Sequence, residues 1–154
     1  MNAAKSHPSP IHTIPEPFTH YRSTLGKKVY AKALDILTTD LAARQAAQLR
    51  NVEFLGVPLA RIICIDRAMY KVDLLSVGMW LQTLVLELTA QGLDTCFQVS
   101  IAGFAEVVKR ELGMGDRVEV LCGLAVGDWG PEARVNRVVV VGRDGWEGCM
   151  EVRD

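Results

Sequence analysis

VDLLSVGMWLQTLVLELTAQ, residues 72–91, is the longest uninterrupted element in the sequence, and its reading decides the fold. At 100° per residue Asp73, Ser76, Thr83 and Glu87 fall into one narrow stripe, with Gly78, Gln82 and Thr89 in a weaker one opposite. Everything between is Leu, Val, Met and Trp. A helix apolar on nearly all sides belongs at the centre of a core or in a subunit interface, and both placements are expected. The length would span a bilayer, but Asp73, Glu87 and the other polar side chains would be costly there. Gly92 supplies the stop, since glycine adopts the left-handed cap without penalty.

On either side, the run VPLARIICID (57–66) is β-branched and apolar and reads as a buried strand. LDTCFQVS (93–100) reads as a short extended segment, followed by a helix over 102–112. That helix turns Phe104, Val107, Val108 and Leu112 inward and Glu106, Lys109, Arg110 and Glu111 outward. RVEVLCGLAVG (117–127) opens with alternation and becomes wholly apolar, the pattern of a strand entering a buried sheet. RVVVVG (137–142) reads as a last strand standing alone. Upstream, amphipathic helices are predicted over 25–36 and 40–51, the second ending before Gly56 and Pro58. Residues 1–23 carry four of the six prolines and predict an extended arm, so the domain proper is 24–154. Strands interleaved with helices give an α+β class, with helices flanking a mixed sheet.

Composition narrows the function. The 154 residues carry 17 Lys and Arg against 18 Asp and Glu, a net charge of −1 that argues against a nucleic-acid binder. No secretory signal pattern is present. The four cysteines, Cys64, Cys96, Cys122 and Cys149, form no C-x-x-C pair and read as reduced structural thiols in the cytoplasm. All three histidines (His7, His12, His20) lie in the arm, without a carboxylate or thiolate at ligand spacing, so no metal site is expected. Histidine-dependent hydrolysis is disfavoured for the same reason. Neither G-x-G-x-x-G nor a P-loop occurs, which removes the common nucleotide folds. Asp66 with Arg67 at a strand end, and Glu87 on the apolar helix, are the isolated acid–base candidates.

RNVEFLGVPLARIICIDR, LSVGMWLQTLVLELTAQGLDTCFQ and VVKRELGMGDRVEVLCGLAVGDWGPEARVNRVVV together resemble the nitroreductase family, over about residues 15–141. The branch with a GLDTC-x-Q turn is the most similar. The resemblance implies an α+β homodimer with FMN at the subunit interface, moving hydride from a nicotinamide donor, NAD(P)H, to a small organic acceptor. It implies that Cys96, Phe97, Gln98 and Val99 lie against the flavin ring edge, and that Asn136 and Arg137 meet the FMN phosphate. The family's R-R-S-x-R and P-S-x-x-N-x-Q-P-W segments have no counterpart, so the chain reads as a member without the N-terminal FMN-binding segment. Arg22, Lys27 and Lys28, or a dimer mate, are the substitutes for the missing charge.

Three functions stand open on the sequence. The first is an FMN-dependent, nitroreductase-like oxidoreductase. The second is a flavin-free cyclase or isomerase of an apolar metabolite on the same fold, drawing on Asp66, Tyr70, Asp73, Glu87 or Asp94. The third is a non-catalytic dimerisation module. Only the first two need a concave pocket with convergent polar groups.

Overall fold

The computed structural model describes residues 14–139, 142 and 145. Two compact units share them: Leu41–Trp129 forms one, and Ile14–Asp40 with the chain from Gly130 onward forms the other. His7, His12 and Cys149 lie outside the described residues.

In the larger unit, α2 (Leu41–Val52) leads into β1 (Leu59–Asp66), α3 (Lys71–Ala90) and β2 (Asp94–Gln98). A 3-10 segment (Val99–Phe104) runs straight into α4 (Ala105–Leu112), and β3 (Val118–Gly127) follows. The sheet order is β1-β3-β2, antiparallel at both pairings. The α+β class therefore stands, while the mixed sheet expected from sequence is, among the described strands, antiparallel throughout. The register slips between Ile63 and Cys64, where Leu121 is the extra residue of a bulge on β3.

Each face of the sheet has its own core. One packs Val52, Phe54, Ile101, Phe104, Val108, Val120 and Ala125 together under α2 and α4. The other sets Ile63, Cys122, Leu124 and Val126 against Val77, Leu81, Leu84 and Leu88 of α3. Those four positions recur at i, i+4, i+7 and i+11, one stripe of a 3.6-residue helix. Leu124 is fully buried, and burying such a side chain stabilises the fold by roughly 1.5–3 kcal/mol.

The ends of α3 follow from local chemistry. The Asp73 carboxylate accepts the Tyr70 N–H at 2.8 Å, satisfying a donor at the start of the helix. At the other end Leu93 N–H reaches Leu88 O and Gly92 N–H reaches Thr89 O, the Schellman pattern, with Gly92 at φ +79°. No residue of α3 is buried, however. Val72, Leu75, Met79, Trp80 and Leu86 are each more than half exposed. A three-stranded sheet offers one face to one stripe of the helix, so the expected central burial is not found.

Between α2 and β1 the chain makes a left-handed turn. Phe54, Leu55 and Gly56 have φ of +49°, +58° and +78°. Two bonds close it, Gly56 N–H to Glu53 O at 3.0 Å and Val57 N–H to Phe54 O at 3.2 Å. Glycine accepts this region freely; for Phe and Leu it costs about 1–2 kcal/mol per residue.

The smaller unit differs from the sequence reading at both ends. α1 (Thr19–Gly26) begins inside the span predicted to be an extended arm. The Thr19 hydroxyl donates to the Glu16 carboxylate at 2.7 Å, and His20 Nδ1 bonds Pro17 O at 2.8 Å. The prolines thus precede the helix, where the absent N–H does no harm. α1 continues as a π-helical segment, Lys27–Ala33. Residues Arg134–Val138 form a short helix, α5, which packs on that segment. The strand expected from residue 137 is therefore helical at its start, and Val140 and Val141 lie outside the described residues.

Candidate functional site

Asp94–Gln98 forms an edge strand, and in the described sheet one of its two edges has no neighbour. Such an edge presents unpaired N–H and C=O groups. Exposure changes sharply at its end. Phe97 is 44% exposed and Val99 65%, whereas Gln98 between them is 2% exposed. Neither Gln98 Nε2 nor Oε1 has a hydrogen-bond partner among the described residues. Burying an amide unpaired costs about 1–3 kcal/mol. The Cys96 thiol precedes them on the strand, its pKa pushed up by burial. Phe97 and Gln98 end the strand and Val99 opens the 3-10 segment, so the extended stretch expected over 93–100 stops at Gln98.

Asn136 and Arg137 belong to the smaller unit, on α5. Asn136 Nδ2 donates to Gly130 O at 2.9 Å. Arg137 Nη2 donates to Glu132 O at 3.2 Å, and Nη1 lies 3.9 Å from the Glu132 carboxylate. Its side chain is 57% exposed. Lys27, Lys28 and Lys32 lie along the π-helical segment on which α5 packs. The smaller unit therefore gathers cationic side chains from two elements.

The isolated acid–base candidates are occupied by structure. Asp66 Oδ1 accepts the Ala68 N–H at 2.9 Å, and Oδ2 accepts Arg117 Nη2 at 2.8 Å. These bonds hold its carboxyl below the usual range. Arg67 lies 3.9 Å from Glu106. Glu87 accepts Gln91 Nε2 at 3.0 Å one turn along α3. Asp94 accepts the Trp129 N–H at 3.0 Å. Tyr70 and Asp73 cap α3, and Tyr70 is 79% exposed. Among the described residues no three His, Cys, Asp or Glu side chains are grouped to hold a metal ion.

Two side chains depart from the helical-wheel reading of α4. Lys109, expected outward, is buried with its ammonium 2.8 Å from the Glu106 carboxylate. Its long stem covers apolar surface while the head reaches the rim. Leu112, expected inward, is 57% exposed.

On the sheet face away from α3 lies a feature the sequence did not signal: an apolar pocket of about 220 Å³, open on one side. Phe54, Ile62, Ile101, Phe104 and Val108 line it, with Glu111 among the lining residues. Phe54 owes its place there to the left-handed turn.

Comparison with known proteins agrees with this architecture. The sequence profile of the Nitroreductase family matches residues 1–128. A 4-nitrobenzoate reductase of Pseudomonas putida is 38% identical over 97 residues, 63% of this chain and 43% of its own length. A second 4-nitrobenzoate reductase, from Nocardioides sp. (strain LMS-CY), is 29% identical over 112 residues, 73% of this chain and 45% of its own. The chain spans about half the length of the curated relatives it matches. Among solved structures, the FMN and NADPH-dependent nitroreductase NfnB from Sphigopyxis sp. strain HMH superposes with a TM-score of 0.88 at 30% identity, over 99% of this chain and 72% of that one. The FMN-dependent NfnB from Mycobacterium smegmatis, solved with NADPH, shares the fold at 23% identity and a TM-score of 0.83, over 96% of this chain and 65% of that one. The family profile, which covers most of the chain, and the likeness of fold agree: the chain belongs to the nitroreductase family.

Proposed function

We propose that the chain acts as an FMN-dependent oxidoreductase that takes hydride from a nicotinamide donor, NAD(P)H, and reduces a small organic acceptor. The observation that carries this reading is the open edge of β2 beside the exposed Phe97 and Val99. Its unpaired backbone groups have the donor and acceptor character that the edge of an isoalloxazine ring matches, so these residues fit the ring. Cys96, Phe97, Gln98 and Val99 hold that edge. On the smaller unit, Asn136 and Arg137 are suited to a phosphate group, for which a guanidinium fork is well shaped, with Arg137 exchanging its Glu132 contacts for that anion. Bound FMN supplies the hydride chemistry; the chain supplies placement, electrostatics and shielding from water.

In the same reading the protein is a homodimer. The apolar side of α3, with Leu75, Met79, Trp80 and Leu86 exposed, has the composition of an interface core and is covered by a second copy. The setting is the cytoplasm, supported by free thiols at Cys64, Cys96 and Cys122.

Visible absorbance tests the cofactor directly. The purified protein is mixed with FMN, freed of excess ligand and scanned. Flavin bands near one per chain, then nicotinamide oxidation driven by a nitroarene or quinone, are expected. A colourless protein that leaves the nicotinamide untouched overturns the proposal.

A further inference from the structure

Two unfavourable features of the larger unit meet on one face of the sheet. The first is the cavity of about 220 Å³ on the sheet face away from α3. The second is the left-handed turn, which holds two bulky residues at positive φ and so sets the Phe54 ring in the cavity wall. The register places Ile62 beside Gly123 across β1 and β3. Ile62 lines the cavity, and Gly123 lies beneath the Phe54 and Ile101 side chains. Strained backbone persists where the surrounding structure fixes it, and it concentrates at ligand clamps. Coincidence of such features marks a site where local consistency has yielded to function.

We infer that this cavity is a binding site for a small, uncharged, single-ring aromatic molecule, separate from the proposed flavin contacts. Size and chemistry both select that class. The pocket is open on one side, and its volume exceeds that of an engineered cavity of about 150 Å³, lined by Leu, Ile and Phe, that takes benzene. The Phe54 and Phe104 rings offer edge-to-face partners to an aromatic guest. Glu111, the one charged residue of the lining, has its carboxylate 3.4 Å from Arg110 and 45% exposed. An ionic or polyhydroxylated ligand would lose its hydration in this cavity with little to replace it. The floor is buried, with Ile101 at 0% and Phe54 at 6% exposed, while Ala60 on the lining is exposed.

The test is a titration of the full chain with toluene, followed by methyl NMR shifts. Saturable shifts at Ile62 and Ile101 are expected, with a Kd at or below ~1 mM. Benzoate, of similar shape but charged, binds at least ~10-fold more weakly. Ala60→Leu adds bulk from the exposed side, so the unfolding transition stays cooperative while toluene affinity falls by at least ~10-fold. Added FMN leaves the toluene affinity unchanged, so failure of the flavin reading does not touch this one. Absence of saturable shifts, shifts confined to the α3 face, indifference to Ala60→Leu, or competition by FMN would each overturn the inference.

Discussion

The carboxylate of Asp94 accepts the backbone N–H of Trp129 at 3.0 Å, so the first residue of β2 holds the chain just after it leaves β3. The two strands are already paired here, Asp94 opposite Gly127. The extra bond fixes where the chain departs from the ladder. Asp94→Ala therefore lowers stability by about 1 kcal/mol, while Asp94→Asn, which keeps an acceptor oxygen, retains most of it. Urea unfolding of the three proteins checks the order; equal midpoints for Asn and Ala would show that the bond carries nothing.

Stability falls in acid through two pairs. The Ala68 N–H and then Arg117 hold the Asp66 carboxyl low, and Lys109 followed by Arg67 does so for Glu106. A carboxylate whose folded pKa is depressed stabilises the fold fully above its unfolded value, about 4. That contribution disappears as pH falls through the folded value. Asp66→Asn and Glu106→Gln proteins thus lose less stability than the parent between about pH 5 and about pH 2. Parallel pH profiles for parent and variants would contradict this.

Gly123 is required by close approach rather than by its backbone angle. A Cβ there would lie 2.6 Å from the Phe54 ring and 2.9 Å from Ile101. Gly123→Ala is expected to cost about 1–3 kcal/mol by overpacking. With Phe54→Ala already in place the same change costs less, because the nearer clash is gone. A double-mutant cycle by chemical denaturation measures the difference, and strict additivity would refute the contact.

Replacing Leu55 by glycine removes a left-handed penalty of about 1–2 kcal/mol and gives up a side chain that is 42% exposed. The Tm of Leu55→Gly is expected to match or exceed the parent's. A clear fall in Tm would mean that the Leu55 side chain holds the turn.

A double substitution on the outer side of α3, Met79→Glu with Trp80→Glu, separates helix packing from dimerisation. Both residues are more than half exposed and lie outside the stripe that meets the sheet. The proposed dimer is expected to become a monomer by light scattering, with circular dichroism unchanged. A parent protein already monomeric at micromolar concentration would remove the homodimer from the functional reading.

Sequence alone determined the elements whose cause is local. The span of α3 and its stop at Gly92, the apolar runs of β1 and β3, and the extended LDTCFQ segment follow from periodicity, capping and β-branching, all written in consecutive residues. The block order carried the family. Tertiary structure decided the rest, because it depends on what lies opposite in space. Periodicity names the stripe Val77, Leu81, Leu84 and Leu88 no more than its neighbours on an all-apolar helix; the single sheet face chose it. Arg137 and Val138 have strand-forming neighbours, yet they fold as helix beside the π-helical segment. Bond formation to distant residues assigned Asp66 and Asp94 to structure. The buried amide of Gln98, opposite Gly123, and the pocket beside Phe54, lined by Ile62, depend on which residues the sheet register brings side by side, a relation that no local pattern encodes.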